Sequence, residues 1–326
     1  MSVDVEVREF DLKFAEGVTA LHRAVGWPFS PNVFRVWRES YPYSRVFVAV
    51  MDGRVLGKVT LDMAYQPYAE IVNLMVHPDY RGHGVGSGLL RHCLNVADNA
   101  NFNIAYLMTE TGNRAAHGLY EKFGFAPSIV SRRRGMMWLF RFSKGTTAHS
   151  FLKSHPFSEL RTARRRVAFM GRSLYRVRWL DPIGGDMLAL YFKGQPGQPS
   201  WGIAPRISGV HVKSGGINLK VVAEELISRV DSSGKTKAQL TFLNEGEETV
   251  QINKIEPLIP KGVELVEGVE GIELKPKRIL RINLSYRLTE EFNIPPLSFS
   301  TIVLSSNIWV ARLEAPLLVS AGFEPA

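Results

Sequence analysis

Apolar and polar positions alternate in two textures along this chain. In the first, strand-like and helix-like periods are interleaved. Val3 to Val7 alternates like an edge strand. Asp11 to Val25 and Pro31 to Glu39 read as short helices. Arg45 to Met51 and Arg54 to Met63 are strand runs on either side of Asp52-Gly53, a pair that suits a tight hairpin turn. Tyr68 to Val76 is a mostly apolar run that reads as a central strand. Val85 to Ala97 puts Leu89, Leu90, Cys93, Leu94 and Ala97 on one helical stripe. Ile104 to Met108 reads as a buried strand, and Met136 to Phe142 as the last strand of this half.

Beyond Phe142 the helical period fades. Ser143 to Thr147 reads as a linker. Val167 to Phe169, Leu174 to Trp179 and Met187 to Phe192 are strand-like, with a turn at Asp181 to Gly185 and a breaker run at Gly194 to Pro199. From Val210 onward short alternating runs recur: Asn218 to Ala223, Ala238 to Asn244, Val250 to Ile255, Ile279 to Tyr286 and Phe299 to Leu304. Such spacing predicts an antiparallel, roughly Ig-like β-sandwich. The expected organisation is an α+β domain over 1–145, a basic β-rich connecting segment over 146–205 and a sandwich-like domain over 206–326. Asp231 to Gly234 reads as a turn, and the second half shows no catalytic constellation, so a structural or partner-binding role is its simpler reading.

Composition narrows the class. The 326 residues, 45% hydrophobic and 22% charged, suit a soluble protein of two or three domains. No apolar run reaches membrane-spanning length, and Met1 to Asp4 lacks the basic and apolar start of a signal peptide; a cytoplasmic protein is expected. The single cysteine, Cys93, excludes an internal disulfide, and its place on the helical stripe points to packing. The histidines show no metal-ligand spacing, so no metal is expected. The net charge of +9 is uneven, concentrated in Arg132-Arg133-Arg134 and in Arg161, Arg164, Arg165, Arg166, Arg172, Arg176 and Arg178. These are a solvated surface, or a patch for a phosphate, an acidic partner or nucleic acid. No stacking module or recognition-helix motif accompanies them, so neither nucleic acid nor membrane is an expected partner.

The most informative stretch is Val76-His77-Pro78-Asp79-Tyr80-Arg81-Gly82-His83-Gly84-Val85-Gly86-Ser87-Gly88-Leu89-Leu90. A strand feeds a Gly-rich turn that opens a helix. Glycines allow close backbone approach to a ligand, and the first N–H groups of a helix lack intrahelical partners, so the turn suits a phosphate or pyrophosphate. A P-loop is excluded because no Gly-Lys-Ser/Thr follows. A dinucleotide fingerprint is excluded because its third glycine falls at Ser87 or at Leu89. The R-G-x-G-x-G spacing instead resembles motif A of the GNAT superfamily of acyl-CoA-dependent N-acetyltransferases. Downstream, Asn113-Arg114-Ala115-Ala116-His117-Gly118-Leu119-Tyr120-Glu121-Lys122-Phe123-Gly124-Phe125 resembles the same family's motif B. In that helix Ala116, Leu119 and Phe123 are expected to face the core, with Asn113 capping its start and Gly124 its end. The resemblance covers about the first 145 residues.

The resemblance implies a GNAT fold and acetyl-CoA as cosubstrate, its acetyl group moving directly to an amine. It implies that Arg81, Gly82, His83, Gly84, Val85, Gly86 and Ser87 offer backbone N–H groups to the pyrophosphate. It implies that Leu74, Met75 and Val76 pair their backbone with the pantetheine arm, where a backbone N–H can also polarise the thioester carbonyl. Asn113 is carried over as a contact to that arm, with helix capping as its other role, and Tyr120 as the general acid for the departing thiolate. A base is needed because a lysine amine, with a pKa of about 10.4, is almost wholly protonated at neutral pH, whereas an α-amine near ~8 needs less help. Glu70, at the start of the central strand, and Glu110, after the buried strand, are the two candidates. A protein or peptide amine is the favoured acceptor. A small-molecule amine is the alternative, as is an acyl-CoA-binding sensor without catalysis whose β module reports to a partner. The basic stretch is a candidate for the cofactor's 3′-phosphate, and the β-rich extension for a cover over the acceptor site.

Overall fold

The computed structural model describes residues 5–65, 68–100, 102, 104–131, 135–144, 147–162, 166–193, 206–224, 235–258, 263–267, 270–288, 297–306 and 317–320. Two compact units divide the chain: Met1–Ala126 with Trp138–Arg141, and Pro127–Met137 with Phe142–Ala326.

The first unit runs β1 (Glu6–Glu9), α1 (Ala15–Val25), α2 (Asn32–Glu39), β2 (Ser44–Met51), β3 (Arg54–Tyr65), β4 (Tyr68–Val76), α3 (Val85–Asn99), β5 (Ile104–Glu110) and α4 (Arg114–Lys122). After β6 (Ala126–Ser131), β7 (Met136–Phe142) returns its middle residues to this unit. The sheet order is β1-β2-β3-β4-β5-β7. β1 to β4 pair antiparallel and β4 pairs β5 in parallel, so the sheet is mixed and the unit α+β. Asp52 (φ 48°) and Gly53 (φ 75°) both sit in the left-handed region, the geometry of a type I′ turn, and close the β2–β3 hairpin as expected.

Alternation on β3 assigns its two faces. Val59 and Leu61 are fully buried, on the side where α3 brings in Leu89, Leu90, Cys93 and Leu94. Lys58, Thr60 and Asp62 point to the opposite side, where α1 and α2 pack. The apolar core there joins Val18 and Leu21 of α1 to Val48, Val55 and Met75, with Phe34 and Trp37 of α2 against it.

β4 is irregular where it matters. Its register against β3 passes from Thr60↔Val72 to Lys58↔Met75, so Asn73 and Leu74 stand opposite the single residue Val59. Asn73 takes up this bulge with φ 54°, a region asparagine tolerates better than most residues. On its other edge β4 pairs β5 only through Tyr68↔Ile104, Ala69↔Ala105 and Glu70↔Tyr106. Beyond Glu70 the two parallel strands part.

Several expectations need adjusting. Asp11 caps a 3-10 turn, Leu12–Phe14, ahead of α1, its side chain accepting from the Lys13 N–H at 2.9 Å. β6 was not expected, since Ala126-Pro127-Ser128 carries no alternating signal. In α4 Tyr120 is the buried residue, while Ala116, Leu119 and Phe123 are only half-buried. The reason is that α4 lies beside the Gly-rich turn, where Leu119 faces Gly86, and not over the middle of the sheet.

The second unit contains α5 (Thr147–Ser154), a helix inside the connecting segment expected to be β-rich, followed by antiparallel strands. β8 (Glu159–Thr162), β9 (Val167–Phe169), β10 (Arg172–Leu180), β11 (Met187–Lys193), β12 (Arg206–Ser214), β13 (Ile217–Glu224), β14 (Lys235–Asn244), β16 (Val263–Glu267) and β18 (Ile279–Leu288) form one sheet. It is ordered β16-β18-β14-β13-β12-β11-β10-β8, with β9 on β10, and so draws strands from both sides of residue 205. β15 (Val250–Leu258), β17 (Glu270–Leu274), β19 (Leu297–Ser306) and β20 (Leu317–Ser320) form a second. The expected breaker at 194–199, the turn at 231–234, Arg132 to Arg134, Arg164 and Arg165 lie outside the described residues. No described helix is long and apolar enough to cross a membrane. No group of three or more described His, Cys, Asp or Glu residues could hold a metal ion.

The approach of α3 to β3 depends on Gly57. A Cβ there would lie 2.8 Å from the Met75 carbonyl oxygen and 3.0 Å from Leu89 Cδ1. Backbone cannot yield as a side chain can. Gly57→Ala is therefore expected to destabilise the fold by about 1–3 kcal/mol, read as a lower urea midpoint. An unchanged midpoint would show that β4 shifts freely against β3.

Candidate active site

β4 and β5 part beyond Glu70, and the residues expected to form the site lie on and around the parted segment. The backbone of Ile71 to Val76 on the β5 side carries no ladder partner, and the bulge at Asn73-Leu74 also loosens it from β3. Leu74, Met75 and Val76 thus lie on a strand edge free to pair with an extended chain. At its end His77 caps a 3-10 turn, Pro78–Tyr80, and Arg81 folds back to donate from Nε to the Val76 carbonyl at 3.3 Å.

Gly82 (φ 79°) and Gly84 (φ 88°) make the turn into α3. Only glycine enters both positions without strain. The first α-helical bond of α3 comes from the Gly88 N–H to the Gly84 carbonyl at 2.9 Å. The N–H groups of Val85, Gly86 and Ser87 therefore have no intrahelical acceptor, and none is recorded for Gly82, His83 or Gly84 among the described residues. A Cβ at Gly86 would touch Val76 and Leu119 at 3.5 Å each, so the turn sits tightly between β4 and α4. Open donors, positive helix end and exposed glycines together fit a pyrophosphate. A cavity of about 700 Å³ lies elsewhere in this unit, lined by residues such as Phe10, Trp37 and Arg38, and shares no residue with the turn.

The two candidate bases occupy different environments. Glu70 is the last residue at which β4 and β5 pair, and Tyr106 opposite donates its hydroxyl to Glu70 Oε2 at 2.9 Å. Burial pushes the Glu70 carboxyl up to about 7; the Tyr106 hydrogen bond opposes this and the nearby Asp62 adds to it. Glu110 ends β5 on the same face as Tyr106, about 13 Å further along the strand. Its side chain is exposed, and its carbonyl accepts from the Asn113 N–H and faces the His117 ring.

α4 brings in the remaining pair. Asn113 caps it, its Oδ1 accepting from the Ala116 N–H at 3.1 Å. Tyr120 is 8% exposed, its ring edge-on to Phe125, and burial holds its phenol above the ordinary value. No described group takes its hydroxyl. The structure thus gathers Glu70, the loosened β4 and the Gly-rich turn along one strand, with α4 beside the turn.

Residues 14–125 match the family model described as the Acetyltransferase (GNAT) family. They form a GNAT acetyltransferase domain. The chain is 30% identical over 91 residues to a Bacillus subtilis protein provisionally named a ribosomal protein bS18-alanine N-acetyltransferase, covering 28% of this chain and 60% of that one. It is 35% identical over 85 residues to rat N-acetylaspartate synthetase, covering 26% of this chain and 28% of that one. The chain therefore spans less than two thirds of the length of these curated relatives. The crystal structure of the Escherichia coli ribosomal-protein-S18-alanine N-acetyltransferase aligns over 42% of this chain and 93% of its own, with 18% identity and a TM-score of 0.37. GNAT enzymes use acetyl-CoA, and the open donors of the Gly-rich turn fit its pyrophosphate.

Sequence reasoning missed Tyr106, which donates a hydrogen bond to Glu70 from the neighbouring strand. Tyr106→Phe keeps the ring stacked near Trp138 and Phe140, 5.6 and 6.0 Å away, while removing the hydroxyl. That hydroxyl favours the carboxylate, so its loss is expected to move the Glu70 pKa further up. NMR titration of the glutamate carboxyl carbons reads this directly, and an unmoved or lower value would refute the assigned cause.

Proposed function

We propose that this chain is an N-acetyltransferase that passes an acetyl group from acetyl-CoA directly to an α-amine, with a protein or peptide N-terminus as the favoured acceptor. The observation that carries the reading is Glu70, a desolvated carboxylate beside a loosened strand edge and an anion-binding turn. Acetyl-CoA supplies the activated acyl group. Arg81 to Ser87 hold its pyrophosphate through backbone N–H groups. Leu74, Met75 and Val76 align the pantetheine arm along the strand edge, and a backbone N–H in the bulged segment polarises the thioester carbonyl. Asn113 presents α4 to the arm. Glu70 takes the proton from the incoming ammonium; a base of about 7 is matched to an α-amine near ~8 far better than an ordinary carboxylate is. Glu110, exposed and further along β5, is the weaker candidate. Tyr120 donates its proton to the thiolate as the C–S bond breaks, its raised pKa keeping it protonated until then.

Two relatives named for bS18-alanine and for N-acetylaspartate support an α-amine acceptor. An acetyl-CoA requirement and a lone buried Cys93 support a cytoplasmic setting. For the second unit we propose a sandwich-like partner-binding module. The buried Asn244 supports it, donating from Nδ2 to the Glu248 and Leu274 carbonyls at 2.7 and 3.0 Å and so tying β14 to β17.

Release of the CoA thiol with a library of amines tests the activity. Glu70 must be ionised to act, so kcat/KM is expected to rise with pH and reach half its plateau near 7. Glu70→Gln should abolish that rise and lower the rate by about 10²–10⁴. A variant with the wild-type profile would remove Glu70 from the chemistry. Tyr120→Phe is expected to cut kcat by about the same factor while acetyl-CoA binding by calorimetry stays nearly constant. An equally active Phe variant would mean that the thiolate leaves without this proton.

A further inference from the structure

The acetyl-transfer reading makes no use of the cavity of about 700 Å³ in the first unit. Its walls come from the end of β1, the 3-10 turn Leu12–Phe14, α2 and the start of β2. On α2, Phe34, Trp37 and Arg38 recur at three- and four-residue spacing, and Tyr41 continues the stripe past the helix end. One wall is aromatic. The Phe10 ring stacks on Phe34, centroids 5.3 Å apart and planes 8° from parallel. Trp37 stands edge-on to both, at 5.0 and 5.6 Å. These three side chains are only half-buried, so ring surface is left facing the cavity. Leu12 and Tyr41 also line it and are 63% and 59% exposed, which gives the cavity an open mouth with apolar sides.

Charge separates this cavity from a plain apolar hollow. Five cationic side chains line it against two carboxylates, those of Glu9 and Asp11. Both carboxylates are already engaged. Arg45 donates to Glu9 from Nε and Nη2 at 2.7 and 2.9 Å, and Asp11 accepts from the Lys13 N–H as a cap. Arg8 and Arg35 pair with Glu6 and Glu39. Arg38 has no ion pair and no hydrogen bond among the described residues. The Lys13 ammonium has no carboxylate there either and lies 5.2 Å from the centroid of the Phe14 ring. The volume is that of a small-molecule site. A neutral aromatic ligand would leave these two cations unanswered. An aliphatic acid would answer them but forgo the stacked and edge-on contacts that aromatic walls offer. A carboxylate matches a free guanidinium through two parallel hydrogen bonds.

We propose that this cavity binds a small aromatic carboxylate, its ring against Phe10, Phe34 and Trp37 and its carboxylate toward Arg38, with Lys13 adding charge. The cavity shares no residue with the Gly-rich turn, Glu70 or Tyr120, so the site is independent of the acetyl-transfer reading.

Calorimetric titration of the full-length protein with naphthoate, naphthamide and octanoate tests this. Wild type is expected to bind naphthoate about 5- to 10-fold more tightly than the neutral amide, between the worth of an exposed ion pair and that of a charged hydrogen bond. Arg38 and Tyr41 are exposed, so variants there keep the fold, which an unchanged melting temperature verifies. Arg38→Gln should lower the preference for the acid, and Arg38→Gln combined with Lys13→Gln should bring it toward one. Tyr41→Ala should weaken acid and amide alike, by about 3- to 10-fold. No binding of naphthoate to wild type, or an acid preference that survives in the double variant, overturns the site. Octanoate binding as tightly as naphthoate overturns the aromatic assignment. Saturating acetyl-CoA should leave naphthoate affinity unchanged; competition between the two would put the acid in the acetyl-CoA site and overturn the proposal.

Discussion

Everything at the candidate site depends on β4 losing its partners. A strand inside a sheet normally spends both edges on ladder hydrogen bonds and has none left for a ligand. Here the ladder to β5 stops at Glu70↔Tyr106, and the bulge at Asn73-Leu74 interrupts the ladder to β3 three residues later. Edges exposed in this way invite aggregation unless something covers them. The parted segment lies between two sheet neighbours, so an extended group is the shape that fits along it. The same divergence delivers the Gly-rich turn, because a strand that has left its neighbour can end in a tight turn and start α3 without crowding β5.

Packing on the far side holds this opening in place. α3 presses Val85 and Leu89 onto Gly57, which lies opposite Val76 in the β3–β4 register. The helix that follows the Gly-rich turn is thus anchored by its own first turns to β3, the strand against which β4 bulges. Small motions of α3 and β4 are coupled, and the distance between the N–H cluster and the bulge is set by core packing of the kind that tolerates little change.

The Gly-rich turn and the α4 motif were legible because their signals are backbone signals. Glycine spacing records where the backbone turns through the left-handed region, and Asn113 and Gly124 record where a helix begins and ends. The hairpin at Asp52-Gly53 was legible for the same reason. The bulge was not. Asn73 sits in an otherwise apolar run, and its tolerance of the left-handed region is a faint local signal. The raised pKa of Glu70 comes from burial, opposed by a hydrogen bond from Tyr106, 36 residues away, so no window around Glu70 contains it. β6 escaped because a proline and short polar side chains mask a strand whose pairing is decided elsewhere. The polar set Lys58, Thr60, Asp62 was visible as a period-two pattern on β3. A sheet strand with one polar face ordinarily turns that face to solvent; here helices cover it.

That covered face has an unusual electrostatic character. Burial moves Glu70 up to about 7 and Lys58 down to about 8, each toward its neutral form. A close ion pair would have moved both the other way, so the two opposite charges, Lys58 on β3 and Glu70 on β4, are held apart. The linkage signs follow. Glu70 binds its proton more tightly when folded, and the stability this lends is lost as pH rises through about 7. Lys58 binds its proton less tightly when folded, so stability lost at neutral pH returns only as pH rises past about 8. Near neutral pH both shifts therefore cost stability, roughly 3 kcal/mol each. A purely structural core would have no use for such a face, since an apolar residue at position 58 would relieve much of the strain. Glu70 does have a use there in the proposed reaction: a carboxyl that titrates near 7 can take a proton from an amine at neutral pH.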